Sequence, residues 1–409
     1  MTINNTRPKW LIGSITGIEY DAFKDKIGIY FKYDTETYYN ELTKEEFKPF
    51  YWKHVNKPGL FDSLHHKQTI KEVKGVKKED GKKILMLRPD TQFLIQKELS
   101  YFENIGLDDL RLAVMDIETT SLSPDTGHIL SIGIKTNFDI KHSSKFSNDS
   151  IFFTDKVGEK KMLEDLIYFM QDEDPDLIIG HNIFNFDIPY IEGRMYANDI
   201  DPTLGRSNKR MYKDYMATRI HNMIKGKEFI QYRIPGRHII DTMHLAQIED
   251  TRRSEFESVS LKYLAKHLKI AKPDRTYLEG YEIAQMYKTD HKKFMAYLTD
   301  DLEETMGLTK MFLPAYIQMS KIIPINLQDQ VYAGPTQKFA SLFCRDYYKQ
   351  KKAVPMPQEK VIFKGATSNA EAVGLFNNVA KFDVASLYPS IQLVYDIFPK
   401  SDSLGSFKE

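Results

Sequence analysis

The sequence predicts an α/β protein: a module of alternating strands and helices, preceded by a β-rich segment and followed by a short α+β piece. Three observations carry this. Residues 9 to about 105 contain short apolar or alternating runs separated by polar turns, the pattern of half-buried strands. From Arg111 onward, short apolar strands alternate with stretches of helical spacing, the order of a mixed sheet with helices on its faces. One stretch, Arg111-Leu112-Ala113-Val114-Met115-Asp116-Ile117-Glu118-Thr119-Thr120, reads as a strand: Leu112 to Ile117 is nearly all apolar, as a central strand covered on both faces should be, yet it ends in two carboxylates.

The elements follow in order. Trp10 to Ile15 and Ile27 to Tyr33 read as strands of the first segment. Lys74 to Lys83 is Lys-rich, contains Gly75 and Gly81, and reads as a solvated loop or hairpin in preference to a nucleic-acid contact. In the module, Ile129 to Ile134 pairs with the first strand across a turn at Ser123 to Gly127, and Ile151-Phe152-Phe153 is a third strand. Glu159 to Asp172 carries apolar residues at helical spacing, and Leu177 to Asn182 is another short buried strand. Asp187 opens a helix that tolerates Pro189 in its first turn. Arg237 to Met243 passes from strand to helix, Ser258 to Leu268 is an amphipathic helix, and Phe294 to Asp301 lies on a long helical stretch. Residues 311 to 360 read as helix and then coil, broken at Pro335, Pro355 and Pro357. Val379 to Ile391 reads as a strand, a turn at Pro389 and the start of a helix. The expected domains are residues 1–108, with 311–360 packing on them, then 109–310, then 361–409.

Composition narrows the class. At 409 residues the chain exceeds one typical domain, and at 42% hydrophobic and 28% charged it can build real cores. Lys+Arg and Asp+Glu are both 57, so net charge neither favours nor opposes a nucleic-acid partner. The single cysteine, Cys344, excludes an intrachain disulfide and a Cys-based zinc site and suits a reducing compartment, the cytoplasm. No run approaches a membrane span, and Met1 to Pro8 lacks the apolar core of a signal peptide. Residues 205 to 230 interleave cations with Tyr and Met: Arg206, Lys209, Arg210, Tyr212, Lys213, Tyr215, Arg219, Lys225 and Lys227. That pattern suits either a single-stranded nucleic acid or a solvated helix face.

Four acids carry the chemistry. Asp116 and Glu118 are two apart on a strand, so both leave the same face. Side-by-side buried carboxylates require cations, and hard divalent ions with oxygen ligands supply them. Asp187 emerges after the strand ending Gly180-His181-Asn182. Tyr297 and Asp301 are a helical turn apart on one face, whereas Asp300 points about 100° away. Singly, each is compatible with an ordinary solvated acid or a helix cap; His181 beside a glycine reads as structural. Together, Asp116, Glu118, Asp187 and Asp301 fit two Mg²⁺ or Mn²⁺ ions about 4 Å apart, the arrangement of phosphoryl-transfer sites, with Tyr297 orienting the attacking water.

The order Asp116-x-Glu118, Asn182-x-x-x-Phe186-Asp187, Tyr297-x-x-x-Asp301 resembles the three exonuclease motifs of family B DNA polymerases, and Asp383-Val384-Ala385-Ser386-Leu387-Tyr388-Pro389-Ser390-Ile391 resembles that family's polymerase motif A. Phe363-Lys364-Gly365-Ala366 is similar to the element linked with switching DNA between the two sites, with Phe363 in place of the family's Tyr. The resemblance implies a ribonuclease H-like 3′→5′ proofreading domain over 109–310, a β-rich N-terminal domain, and the first part of an α+β palm from residue 361. It implies catalytic roles for Asp116, Glu118, Asp187, Tyr297, Asp301 and Asp383, the five acids among them as metal ligands. It also implies substrate contacts from Thr119, Asn182, Phe186, Gly365, Leu387 and Tyr388, with DNA as the partner. The family's fingers helix, D-T-D hairpin and thumb do not follow motif A, and one palm carboxylate cannot build a two-ion polymerase site. DNA synthesis is therefore expected only when those parts are supplied: either the sequence is the N-terminal subunit of a naturally split polymerase completed by a C-terminal chain, with a sliding clamp as a further partner, or it is a fragment of a longer polymerase. The competing function is an idle DNA- or protein-binding subunit, against which stands the retention of all four acids and Tyr297.

Overall fold

The computed structural model describes residues 8, 11–21, 24, 26–34, 36–43, 45–47, 50–53, 65–67, 84–85, 87–140, 150–214, 229–352, 354, 369–370, 372–400, 402 and 404–408. The Lys-rich stretch 74–83, Tyr215 and the cations Arg219, Lys225 and Lys227, and the element 363–366 with Gly365 lie outside the described residues. The chain forms two compact units, Met1–Lys48 with Arg88–Ser341, and Pro49–Leu87 with Leu342–Glu409. These follow different lines from the expected segments.

In the first unit, β1 (Ser14–Asp21), β2 (Lys26–Tyr33) and β3 (Glu36–Leu42) form an antiparallel meander. Ile15, Ile27, Ile29 and Phe31 of this sheet share one core with Leu112, Val114, Leu298 and Tyr316, so the expected boundary at residue 108 is bridged by common packing. A five-stranded mixed sheet follows, built from β7 (Leu112–Thr119), β8 (Ile129–Thr136), β9 (Ser150–Thr154), β10 (Leu177–Gly180) and β13 (His238–Asp241), in the order β13-β10-β7-β8-β9. β7 is the middle strand, antiparallel to β8 and parallel to β10. The expected pairing of Ile129–Ile134 with the first strand is observed.

Period-two alternation on β7 decides which residues meet which helix. Ala113, Met115 and Ile117 face a core with Met162, Leu166 and Phe169 of α2 (Glu159–Asp172) and Ile188 and Ile191 of α3 (Asp187–Ala197). Leu112 and Val114 face Leu298, Leu302 and Met306 of α7 (His291–Ile322). Asp116 and Glu118 continue that second row, so the helix that seals the row overlies the acids. α7 runs unbroken for 32 residues through Pro314, across the domain boundary expected at residue 310. Its start is capped by Asp290, whose Oδ1 accepts from Lys293 N at 3.0 Å.

In the second unit, β4 (Phe50–Lys53), β5 (His65–Lys67) and β6 (Ile84–Leu85) form a small sheet in the order β5-β4-β6. The expected strand at Val379 to Val384 is absent: these residues are irregular and exposed. A strand needs a ladder partner, and among the described residues none pairs with this run. The expected turn at Pro389 is instead the first turn of α10 (Leu387–Val394), where proline lacks only an N–H that the helix leaves unused. No helix among the described residues is long and apolar enough to cross a membrane.

Gly133 sits opposite Asp116 in the β7–β8 register, and a Cβ there would lie 3.0 Å from both Leu298 Cγ and Leu302 Cδ1 of α7. The missing side chain sets how closely α7 rides on the sheet. Gly133→Val should cost about 1–3 kcal/mol, the range for overpacking a filled core. Chemical denaturation that gives an unchanged midpoint would show that α7 does not rest on this position.

Candidate active site

β10 ends at Gly180, and the chain turns at Asn182, which adopts φ 67°, a left-handed conformation that asparagine tolerates. Asn182 N donates to Asp241 Oδ1 at 2.9 Å, and Asn185 N and Phe186 N both donate to the Asn182 carbonyl at 3.1 Å. This turn delivers Asp187 to the first position of α3. Rather than serving as a helix cap, Asp187 reaches across to β7, where its Oδ1 accepts from Ile117 N at 3.1 Å. Ile117 is the residue between the two strand acids, so one hydrogen bond registers α3 against the acidic end of β7.

Carboxylate oxygens of Asp116, Glu118 and Asp301 all lie within 4.8 Å of one another, close enough to hold a metal ion. Asp187 is not part of this triplet but lies beside it and raises the pKa of both strand acids. Three of the four expected acids thus converge, with the fourth adjoining. Glu118, Asp187 and Asp301 are buried, whereas Asp116 keeps a partial opening to solvent.

The electrostatics follow from this crowding. Two charges at such a separation repel by about 3.5 kcal/mol at an effective dielectric of about 20, enough to lift a carboxyl from about 4 to between about 6 and 7. Burial adds to this. Burial first, then the neighbouring acids, pushes Asp116 well above the ordinary range. Burial with Asp301 and Asp187 nearby pushes Glu118 up to about 8. Burial likewise pushes Asp187 up to about 8, against the hydrogen bonds it accepts from backbone. Asp301 rises only to about 6, because the Arg275 guanidinium offsets part of the burial.

Arg275 Nη2 donates to Asp301 Oδ1, and its Nε and Nη2 donate to Glu304 at 2.7 and 3.0 Å. Tyr297, on the same helix face as Asp301, hydrogen-bonds it, and burial with the surrounding acids raises its hydroxyl well above the usual range. Asp300 turns away and accepts from Thr276 N at 2.8 Å, as the helical geometry predicts.

The other expected positions divide. Thr119 Oγ1 donates to the Ser121 carbonyl at 2.9 Å at the open end of β7. Asn182 accepts from Asn185 Nδ2 at 2.8 Å, and the half-buried Phe186 ring packs 5.5 Å from Tyr190. His181 bonds Thr242 Oγ1 and the Val259 carbonyl, both at 2.9 Å, which satisfies both ring nitrogens and fits its structural reading. In the second unit, Asp383, Leu387 and Tyr388 are all exposed, and Asp383 lies on irregular chain rather than at the end of a strand. The described cations of the basic segment are occupied: Arg206 with Asp174 and Asp176, Lys209 with Glu19, Arg210 with Asp201 and Lys213 with Glu192. Sequence reasoning missed Arg275, because an arginine 26 residues from its partner leaves no local pattern. It also missed Asp241, for which the signal was an acid at a strand-to-helix junction.

Residues 30–264 match the family described as DNA polymerase family B, exonuclease domain. The DNA polymerase of Archaeoglobus fulgidus is 27% identical over 298 residues, 71% of this chain and 34% of that protein. DNA polymerase 1 of Pyrococcus abyssi is 24% identical over 364 residues, 85% of this chain and 45% of that protein. The structure of the family B DNA polymerase from the hyperthermophilic archaeon Pyrobaculum calidifontis is similar with a TM-score of 0.63 over 85% of this chain and 52% of that one, at 17% identity, a likeness of fold. The chain belongs to DNA polymerase family B and carries its exonuclease domain. It spans 34% and 45% of the length of these two curated relatives.

The raised carboxyl pKa values dictate how the metal-free protein responds to pH. Between about 4, where an unfolded carboxyl titrates, and about 8 for Glu118, the folded state holds more protons than the unfolded one. Stability therefore falls as pH rises through this window. Glu118→Gln removes one repelling charge, so without metal its Tm should match the parent near pH 5.5 and exceed it at pH 8.5. The gain should be about 3–6 °C, corresponding to about 1–2 kcal/mol. A gap that stays constant with pH in scanning calorimetry contradicts the repulsion.

Proposed function

We propose that this chain is a divalent-metal-dependent 3′→5′ exodeoxyribonuclease that removes nucleotides from a single-stranded DNA end. The observation that carries this reading is the convergence of Asp116, Glu118 and Asp301 at the end of a core strand in a family B exonuclease domain. The donor set fits hard cations such as Mg²⁺ or Mn²⁺: carboxylate oxygens without sulfur or imidazole, whose raised pKa values mark repulsion that a cation relieves. Asp116, Glu118, Asp187 and Asp301 would hold two such ions. Divalent cations supply charge neutralisation at a scissile phosphate and acidify water.

The remaining work falls to the chain. Tyr297 stays protonated at any physiological pH, so its hydroxyl acts as a fixed donor beside Asp301 and orients water rather than taking up a proton. Arg275 holds Asp301 in place through its guanidinium. Asn182, fixed by Asp241, and Thr119 offer polar contacts to the terminal nucleotide, and Phe186 offers a ring face for a base.

Synthesis is proposed only in combination with a polypeptide that carries fingers, the rest of the palm and thumb. In that assembly Asp383 would be a palm metal ligand, Gly365 would lie in the element that switches DNA between sites, and Leu387 and Tyr388 would line the nucleotide site. The exposed apolar run that includes Leu375, Phe376, Phe382 and Tyr388 supports such a partner surface.

Incubating a 5′-labelled single strand with Mg²⁺ or Mn²⁺ should give a ladder of stepwise shortening. EDTA should abolish it, and Asp116→Ala should slow it by about 10³-fold or more. Hydrolysis that survives both removes the proposed site, and a chain that binds strand without cutting it supports the idle-subunit reading. Mixing with a separately expressed fingers-and-thumb polypeptide should yield nucleotide incorporation that Asp383→Ala removes while exonuclease activity persists. Incorporation that is unaffected by Asp383→Ala contradicts the palm assignment.

A further inference from the structure

Lys262 lies on α5 (Leu261–His267), half-buried beside the acidic triplet. Its Nζ donates to the Leu278 carbonyl at 2.8 Å and stands 5.2 Å from the centroid of the Tyr297 ring. Its field pulls down the carboxyl pKa values of Glu118, Asp301 and Glu304 against the burial that raises them. The ammonium has three N–H donors, of which the Leu278 carbonyl takes one. Arg275, the second cation near Tyr297 at 5.7 Å, differs: its side chain is 1% exposed, and it is committed to Asp301, Glu304 and the Thr276 carbonyl. Lys262 is thus the described cation at this site that keeps N–H donors and a path to solvent.

We infer that Lys262 is a substrate-binding residue that receives a non-bridging phosphate oxygen of the 3′-terminal nucleotide. The inference rests on the exonuclease reading and deepens it. A cluster of carboxylates repels a polyanionic strand, and the side chains facing that strand need a positive member. An ammonium is a compact point charge suited to a single phosphate oxygen. If the residue merely covered Tyr297, an apolar side chain would do so without burying a charge. If it merely tied α5 to the 269–279 segment through Leu278, a neutral amide donor would serve.

The test compares the intact chain with Lys262→Met, Lys262→Gln and Lys262→Arg on a labelled single strand with Mn²⁺, across about 50 to 200 mM salt. Lys262→Met and Lys262→Gln should lower kcat/KM about tenfold, mainly through KM, and make the slope of log kcat/KM against log salt shallower by about 0.7. Lys262→Arg should restore most of the loss. Mn²⁺ affinity, measured by titration calorimetry, should be unchanged or tighter in the neutral variants, because a cation has left the acid cluster. If Lys262→Met fails to fold, Lys262→Gln, which can still donate to the Leu278 carbonyl, carries the comparison. An unchanged salt slope, or weaker Mn²⁺ binding in step with activity, overturns the inference and leaves a structural tether. An active parent matched by its neutral variants overturns this inference alone; an inactive parent overturns the exonuclease reading as well.

Discussion

Repulsion among carboxylates held at the end of β7 is the constraint on which the rest of this protein turns. Asp116, Glu118 and Asp301 sit within 4.8 Å of one another in surroundings that favour their neutral forms. Nothing local would keep them there. They stay because β7 is the middle of a five-stranded sheet and because α7 is sealed onto that sheet by Leu298, Leu302 and Met306. Each buried leucine or methionine contributes about 1.5–3 kcal/mol on transfer from water, so a few such contacts offset several kcal/mol of mutual repulsion. Gly133 lets the helix approach closely enough for Asp301 to join the two strand acids.

The same unit shows how differently it treats the same side chain elsewhere. Asp176 is as enclosed as any acid of the site, yet its carboxyl is lowered to about 2, because Arg206 and Lys32 outweigh its burial. That cluster joins β2 to the loop before β10, and its acid is neutralised within the protein. At the acidic end of β7 the cancellation is incomplete. Arg275 answers for Asp301 and Glu304, Lys262 leans on the set from its edge, and the strand acids keep no close cationic partner among the described residues. An internally neutralised cluster is architecture, whereas one left short of positive charge is prepared for cations that arrive from solution.

Two apolar runs ending near an acid look alike in the sequence, and the fold separates them. Leu112 to Ile117 becomes the central strand because β8 and β10 flank it and helices cover both faces. Val379 to Val384 carries a comparable pattern but has no ladder partner among the described residues, and its side chains stay exposed. A strand is a relation between segments, so a run of β-forming residues specifies one only where a neighbour is present.

Much of this site is legible in the letters alone. Spacing of two puts Asp116 and Glu118 on one face of a strand, and spacing of four puts Tyr297 and Asp301 on one face of a helix, because those periods belong to the backbone itself. The apolar runs and turn residues likewise mark the order of strands and helices in the module. Only the tertiary structure decided that Asp187 would bond Ile117 N rather than cap its own helix, that Arg275 and Lys262 would border the acids, and that the cations of the basic segment would be taken up by Asp174, Asp176, Glu19 and Glu192. These are contacts between residues tens of positions apart, with no period to betray them; they exist only once packing has brought the segments together.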